Sequence, residues 1–196
     1  MNQEQVRYVD DAICSRHSVR AFLDTPIETQ VIKDILAVAS RAPSGTNTQP
    51  WKVYVVTGQK RAELISRVCS AQIELYQNTE LAAQYKETFA YYPETWISPF
   101  IDRRRENGWG LYGLLGIQKT EREKMAAQQL RNFQLFDAPV ALCFTVNKIM
   151  GIGAKMDISM MIQNVMIAGK ARGLDTCPQA AWNPFYPIIF DILNIP

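Results

Sequence analysis

The sequence has 196 residues, 47% of them hydrophobic, which is enough for one substantial core and predicts a single domain over 1–196. Its 21 basic and 19 acidic residues give a formal charge of +2, so no broad electrostatic attraction to nucleic acid or an anionic membrane is expected. The sequence shows neither a membrane-spanning run nor an apolar secretory signal, and its four dispersed cysteines form no CxxC pair. We therefore expect a soluble, cytoplasmic protein with reduced thiols.

The first part of the chain alternates between helical and extended patterns. Val6, Val9 and Ile13 recur at helical spacing and predict a helix over about 3–15. A second helix is predicted over 29–41 from one apolar stripe, which comprises Val31, Ile32, Ile35, Leu36 and Ala39. The β-branched and aromatic run WKVYVVT, 51–57, predicts a strand.

The middle of the chain is predicted to be mainly helical. Residues 60–88 suit a long helix whose inward positions are Leu64, Ile65, Val68 and Ile73. The segment YYPETWISPF, with two prolines among aromatic residues, indicates a covering loop. A polar helix over about 119–134 then leads to a predicted buried strand, PVALCFTV, at 139–146.

Two more helices are predicted near the end of the sequence. One covers 157–172 and ends at Gly173, a typical C-terminal helix residue. A short helix starts at Pro187 and runs through Leu193. Together, the elements predict an α+β fold in which helices pack on a sheet.

The hexapeptide SRHSVR, 15–20, places two arginines and a serine at alternate positions. In an extended loop, Arg16, Ser18 and Arg20 point the same way. Guanidinium groups make charge-assisted bonds to phosphate, and a hydroxyl adds a neutral donor. The triplet therefore indicates a phosphate site, and a solvated charged loop is the competing interpretation.

The turn RAPSGTNTQPW, 41–51, offers hydrogen bonds without charge. Ser44, Asn47 and Gln49 provide donors and acceptors, and Gly45 permits a close approach to the backbone. Such a turn suits a polar, planar, neutral ligand. An ordinary helix-to-strand connection uses the same residue types and remains the alternative.

The segment GLDTCPQAAW, 173–182, leaves main-chain N–H groups unobstructed after Pro178, because small alanines follow. Backbone donors that face a cavity can stabilise developing negative charge. A strand end followed by a turn is the alternative interpretation.

These three segments, in this order, resemble the FMN-dependent nitroreductase family and particularly its nitrobenzoate reductase-like branch. The similarity is carried by S-R-H-S-V-R-A-F at 15–22, A-P-S-G-T-N-T-Q-P-W at 42–51 and G-L-D-T-C-P-Q-A-A at 173–181, and it extends over nearly all of the chain. It implies a nitroreductase-like α/β sandwich with a central, mainly antiparallel sheet flanked by helices. It also implies an intertwined homodimer with one FMN at each of two subunit interfaces.

The resemblance implies which residues bind the flavin. Those holding the phosphate, the ribityl chain and the pyrimidine side are Arg16, His17, Ser18 and Arg20. Those approaching the ring from the partner subunit are Pro43, Ser44 and Asn47. Those lining the ring with main-chain donors near N5 and O4 are Pro178, Gln179, Ala180 and Ala181. No metal and no catalytic side chain is implied; His17 is expected to position FMN and Cys177 to pack.

The implied reaction is a ping-pong reduction, in which NADH or NADPH reduces the flavin and a nitroaromatic acceptor, favoured to be a nitrobenzoate-like acid, reoxidises it. Arg20 is the best candidate to stabilise negative charge near N1 and O2 of the reduced ring. Two alternatives stay open: a flavoenzyme of the same fold that dehalogenates aromatics or cleaves flavin, and a flavin-binding protein without turnover.

Two further expectations concern the remaining sequence. Aromatic residues between the motifs are expected to cover the flavin and stack on the acceptor, with Arg103, Arg104 or Arg105 binding a carboxylate of that acceptor. The alternative is a packed aromatic patch and a solvated basic face. The aromatic residues are Tyr91, Tyr92, Trp96, Phe100, Trp109 and Tyr112. Family members continue beyond the position of Pro196 through a strand and a basic residue that reaches the phosphate. Either the sequence is a shortened version of the chain, or the domain lacks that strand and tail, in which case we expect weaker cofactor binding and a weaker dimer.

Overall fold

Seven α-helices and one small sheet form the regular structure of the described chain, residues 2–196 of a computed structural model. The helices are α1 (Gln3–Ser15), α2 (Thr29–Ala39), α3 (Gly58–Gln77), α4 (Phe100–Leu114), α5 (Arg122–Leu130), α6 (Gly153–Lys170) and α7 (Tyr186–Leu193). The strands β1 (Trp51–Val56) and β2 (Ala141–Val146) pair antiparallel, with Trp51 opposite Val146. The predicted α+β class is confirmed.

The chain divides into two compact units. The first unit comprises the chain up to Ala62 together with Asp137–Pro178, and the second comprises Glu63–Phe136 together with Gln179–Pro196. Each unit therefore combines segments that are distant in sequence.

The core of the first unit lies where α2 and α6 pack against the sheet. Its buried residues are Ile35, Ala39, Ala42, Met161, Val165 and Ala168. Trp51 and Val53 of β1 and Leu142 and Phe144 of β2 pack against this cluster. The apolar stripes that predicted both helices are thus the faces that they bury.

The end of α6 is set by Gly173, as the sequence predicts. Gly173 has a φ of +74°, a conformation that glycine adopts without a steric penalty. Its N–H donates to the carbonyl of Lys170 at 3.0 Å, and the N–H of Leu174 donates to the carbonyl of Gly169 at 3.0 Å. This pair of bonds satisfies the last carbonyls of the helix and directs the chain toward the segment that contains Pro178.

An aromatic cluster forms part of the core of the second unit. The ring of Phe133 contacts Trp182 and Phe185, with centroid separations of 5.8 Å and 5.2 Å. Tyr85 adds a further contact to Phe185 at 5.1 Å. Leu64 and Val68 of α3 are also buried.

Several predicted boundaries differ from the structure. The helix predicted over 60–88 ends at Gln77, because the side chain of Asn78 caps a separate 3-10 turn by accepting from the N–H of Glu80 at 3.0 Å. Ile73, which was expected to point inward, is 43% exposed. The segment after Leu130 forms a 3-10 turn instead of extending α5 to residue 134.

Other differences are smaller. The helix α6 begins at Gly153, four residues before its predicted start, and α4 had no predicted counterpart. The strand β2 is half-buried rather than fully buried. Within residues 2–196, no helix has both the length and the apolar character that crossing a membrane requires.

Candidate functional site

The first motif, residues 15–22, is extended and lies beside the third, residues 173–181; the second motif is the turn at 42–51. Arg16 has φ −69° and ψ 130°, and Ser18 forms an isolated parallel bridge with Thr176. The N–H of Val19 donates to the carbonyl of Thr176 at 3.1 Å. Segments about 160 residues apart are thereby joined, because parallel pairing aligns them side by side.

The cations of the first motif are differently engaged. Nη1 of Arg20 donates to the carbonyl of Ser18 at 3.4 Å, so this side chain folds over its own loop. Arg16 is half-buried, and within residues 2–196 its guanidinium has neither an ion pair nor a hydrogen bond. A half-buried cation without a protein partner suits an anionic ligand.

His17 is exposed and directed toward its own backbone. Its Nδ1 lies 3.1 Å from the carbonyl oxygen of Ser15. Because a carbonyl oxygen only accepts, Nδ1 carries the proton in this contact. The geometry matches a positioning role better than that of a general base.

Charge and burial act in opposite directions on Cys177, the residue before Pro178. Burial raises the pKa of the Cys177 thiol, and the nearby guanidinium of Arg20 partly offsets this increase. The thiol is therefore the stable form at neutral pH, which disfavours a nucleophilic role.

Thr176, the residue before Cys177, has a buried hydroxyl without a hydrogen-bond partner among the described residues. Its Oγ1 makes no hydrogen bond to any described residue. Its methyl group packs near Gly169, 3.7 Å from where a Cβ on that glycine would lie. A buried hydroxyl without a partner is uncommon, and here it marks the junction of the first and third motifs.

The second motif forms a turn with an unusual backbone. Its 3-10 segment is Gly45–Asn47, and Thr46, Asn47 and Gln49 have φ values of +49°, +59° and +46°. Such values are uncommon outside glycine, and a β-branched residue such as Thr46 is a genuine outlier. Backbone strain of this kind persists where surrounding contacts enforce it, and it clusters at functional sites.

Hydrogen bonds within the turn hold part of this geometry. The Oγ of Ser44 accepts from the N–H of Gln49 at 2.9 Å, and the Oδ1 of Asn47 accepts from the side-chain amide of Gln49 at 3.2 Å. The side chains of Asn47 and Gln49 are both exposed. The turn therefore presents neutral polar groups to its surroundings.

A residue that the sequence interpretation missed connects this turn to α6. The N–H of Gly45 donates to the carboxylate of Asp157, at 3.4 Å to Oδ1 and 3.3 Å to Oδ2. Asp157 is only 9% exposed. The available signal was a carboxylate on the apolar stripe of α6, between Ala154 and Met161.

The third motif continues into the second unit, where another missed residue holds it. Nε2 of Gln179 donates to the backbone carbonyl and to Oδ1 of Asn132, at 3.1 Å and 3.2 Å. Nε1 of Trp182 donates to the same carbonyl at 3.0 Å. Asn132 thus fixes both side chains that flank Ala180 and Ala181.

The predicted site residues are distributed over both units. The first unit contains the residues of the first two motifs and Pro178, and the second contains Gln179, Ala180 and Ala181. Within residues 2–196, no hydrogen bond joins Ser44 or Asn47 to the first or third motif. The described hydrogen bonds therefore join the first and third motifs and do not connect the turn to either.

The donor set fits FMN. An unpaired guanidinium and a serine hydroxyl match a phosphate, whereas amide and hydroxyl groups on a strained, exposed turn match the neutral edge of a planar ring. Gly45 adds space, since no other described atom lies within 4 Å of where a Cβ there would stand.

The aromatic segment of the second unit is exposed and engaged with an arginine. Tyr91 and Tyr92 contact each other at 4.7 Å and are about half exposed. The guanidinium of Arg104 lies 4.8 Å from the ring centroid of Trp96, a cation–π distance. The rings and the cation therefore form one surface.

Comparisons with known proteins show the family of this chain. The model of the Nitroreductase family matches residues 13–196. The chain is 36% identical over 189 residues to a chloronitrobenzene nitroreductase of Comamonas testosteroni, an alignment that covers 96% of this chain and 81% of the relative. It is 35% identical over 186 residues to a 4-nitrobenzoate reductase of Pseudomonas putida, covering 95% and 78%.

A solved structure extends the similarity to three dimensions. It is the FMN- and NADPH-dependent nitroreductase NfnB of Sphigopyxis sp. strain HMH, with a TM-score of 0.88 and 32% identity. The comparison covers 96% of this chain and 82% of that one. The predicted nitroreductase-like fold is confirmed.

Proposed function

The chain belongs to the Nitroreductase family, and from this premise we propose that it is an FMN-dependent oxidoreductase that uses NADPH or NADH to reduce nitroaromatic compounds. The observation that carries the proposal most directly is the half-buried, unpaired guanidinium of Arg16 beside the paired first and third motifs. A phosphate there would neutralise a cation that the described chain leaves without a counter-ion.

In the proposed complex, Arg16 and Ser18 bind the phosphate, and His17 and Arg20 contact the remainder of the cofactor on the same side. Bound FMN would supply the redox chemistry between the nicotinamide and the nitro group. The guanidinium of Arg20 would supply positive charge that stabilises negative charge on the cofactor.

The other two motifs orient the ring. Pro43, Ser44 and Asn47 approach its edge, and Pro178, Gln179, Ala180 and Ala181 line it with main-chain groups. The hydrogen bonds from Gln179 to Asn132 keep this segment in place. No side-chain nucleophile is needed, which agrees with the raised pKa of the Cys177 thiol.

The proposed assembly is a homodimer in which the turn of one subunit completes the site of the other. Apolar residues of α1 support it: Val6, Val9 and Ile13 are 40%, 55% and 46% exposed. A second exposed apolar stripe comprises Ile152, the residue before α6, and Met156 and Met160 of that helix. Contiguous apolar faces of this kind mark protein interfaces.

Absorption spectroscopy tests the proposed reaction. The purified protein, supplied with FMN, is expected to bind it and show a flavin spectrum that NADPH or NADH bleaches without oxygen. Addition of 4-nitrobenzoate or nitrobenzene should restore the oxidised spectrum. A flavin that binds but that neither nicotinamide reduces would contradict the enzymatic proposal and favour a binding protein without turnover.

Replacing Arg16 tests the phosphate site. Arg16→Ala is expected to raise the FMN dissociation constant by about 10- to 100-fold, because hydrogen bonds to charged groups contribute about 1.5–3 kcal/mol. Fluorescence titration of the apoprotein measures the constant. The control is Arg122→Ala, which removes an exposed arginine of α5. Equal FMN affinity in both variants would show that Arg16 does not hold the phosphate.

A mixed dimer tests the shared site. If Arg16 and Ser44 of different subunits meet at one flavin, a heterodimer of Arg16→Ala and Ser44→Ala subunits has one site with both changes and one with neither. Titration should then find one FMN bound with wild-type affinity for each heterodimer. No site of wild-type affinity, with each site weakened by a single change, would place both residues in the same subunit's site.

A further inference from the structure

Asp157 is a buried carboxylate with little compensation. Among the described side chains, Asp157 is the only charged one that is buried, with 9% exposure. Its two oxygens share a single donor, the N–H of Gly45, at 3.3 and 3.4 Å. An ionised carboxylate offers about four acceptor sites, so most of this capacity is unused.

Stability does not account for a carboxylate at this position. Its neighbours on the same face of α6 are Ala154, Ile158 and Met161, all buried. Burying a charge carries a desolvation cost, and well-packed apolar residues often replace buried charges without loss of stability. A leucine or methionine would continue this stripe, so the carboxylate calls for a different explanation.

The turn that Asp157 contacts needs an external anchor. Its left-handed residues, Thr46, Asn47 and Gln49, adopt conformations that are disfavoured for side chains of this kind. The bonds made by the side chains of Ser44 and Asn47 stay within the turn. Within residues 2–196, the hydrogen bonds that join residues 44–49 to another helix or strand are those from the N–H of Gly45 to Asp157.

The anchor itself is rigid. The helix α6 contributes Met161, Val165 and Ala168 to the core of the first unit, and Asp157 precedes them by one turn or more. A carboxylate on a packed helix holds the Gly45 amide in a fixed place relative to that core. The neighbouring Ser44 and Asn47 are thereby held as well, which is how a supporting contact orients a binding group.

We propose that Asp157 is a positioning residue for the flavin: its carboxylate holds the Gly45 N–H and so keeps the turn at 44–49 in its strained, ligand-ready conformation. The inference rests on the proposed function, because it assigns the turn to the FMN site. It adds a residue on α6 that touches the turn and not the cofactor.

The link between Asp157 and the turn can be measured without FMN. In ¹⁵N-labelled apoprotein, Asp157→Ala is expected to shift the Gly45 amide proton upfield and to speed its exchange by about tenfold, since a charge-assisted bond is lost. Asp157→Asn keeps a weaker, neutral acceptor and should give an intermediate shift and rate. Asp34→Ala, which removes an exposed carboxylate from α2, is the matched control and should leave Gly45 unchanged.

The link to the cofactor needs separate readouts. Asp157→Ala should raise the FMN dissociation constant by about tenfold and alter the visible circular dichroism of the bound flavin, with Asp157→Asn between it and the wild type. A purely structural role would lower the thermal midpoint of the apoprotein and leave the dichroism of bound flavin unchanged. If Asp157→Ala does not fold, the step from wild type to Asp157→Asn carries the same test.

The outcomes separate the two proposals. Wild-type protein that binds FMN, together with Asp157 variants whose Gly45 amide or FMN constant is unchanged, overturns the positioning role and leaves the proposed function standing. Wild-type protein that takes up no FMN overturns the proposed function and, with it, the role of Asp157. A graded change in both measurements, from wild type through asparagine to alanine, supports the inference.

Discussion

Two turns of this chain each place three non-glycine residues at positive φ, but the two sets of side chains differ in burial. In the turn at 44–49, the left-handed residues are Thr46, Asn47 and Gln49, and all three are exposed. In the turn at 131–137, they are Leu135, Phe136 and Asp137. Phe136 is 1% exposed, among the most buried side chains of the described chain.

The difference separates backbone strain that accompanies the burial of a side chain from backbone strain that, under the proposed function, positions groups for FMN. A left-handed residue costs about 1–2 kcal/mol, and fully burying a phenylalanine contributes about 1.5–3 kcal/mol, which offsets the cost at Phe136 itself. Packing therefore accounts for the left-handed conformation of Phe136. The turn at 44–49 buries no side chain of its left-handed residues, and the N–H of Gly45 in this turn donates to the carboxylate of Asp157. Its conformation fits the proposed role in FMN binding.

The largest effect should come from removing the buried ring. Phe136→Ala is expected to lower the free energy of unfolding by about 3–5 kcal/mol, because it leaves a cavity in the core. Chemical denaturation of the apoprotein measures this value. Phe100→Ala removes a ring that is 55% exposed and serves as the control, with a loss well below that of Phe136→Ala. Equal losses would mean that Phe136 does not compensate for its backbone conformation.

Adding a methyl group at Gly45 tests whether the turn at 44–49 lies against the flavin. No other described atom lies within 4 Å of the added Cβ, so Gly45→Ala should leave stability nearly unchanged. If the flavin approaches this turn closely, crowding of about 1–3 kcal/mol should raise the FMN dissociation constant by about tenfold or more. The same change at Gly151, where a Cβ also meets nothing, is the control. Unchanged FMN affinity in Gly45→Ala would remove the turn from the cofactor site.

Relieving the strain itself should have the smallest effect. Thr46→Gly removes a left-handed penalty of about 1–2 kcal/mol but adds an entropy cost of about 0.5–1 kcal/mol, so a modest stabilisation is expected. Thermal unfolding of the apoprotein should show a midpoint higher by about 2–4 °C per kcal/mol gained. Leu135→Gly should be destabilising instead, because a half-buried side chain is lost. Stabilisation by both changes would contradict the contrast between the turns.

Much of the fold could be predicted from periodicity, because local patterns determine local structure. The stripes of α1 and α2 and the β-branched run of β1 predicted those elements closely. The end of α3 was missed, since Asn78 competes with the helix for backbone bonds and the pattern of apolar residues does not show this. The helix α4 was missed because glycines interrupt its sequence pattern.

The site could be predicted only in part, for a physical reason. The three motifs are local in sequence, and Ser18 of the first pairs with Thr176 of the third, whereas the association of all three around one flavin stays a prediction. The supporting contacts are not local: Asp157 lies 112 residues from Gly45, and Gln179 lies 47 residues from Asn132. Left-handed φ at a threonine or glutamine also has no sequence signal, because those residues rarely adopt it.

Backbone amide chemical shifts during FMN titration test the central claim most directly. In ¹⁵N-labelled apoprotein, addition of FMN should shift the amides of Arg16, Ser18, Gly45 and Asn47 more than those of Leu135 and Phe136. Larger shifts at those four amides would establish that the turn at 44–49 and the loop at 15–20 bind the cofactor. Shifts confined to other segments, with Gly45 and Asn47 unmoved, would contradict the account.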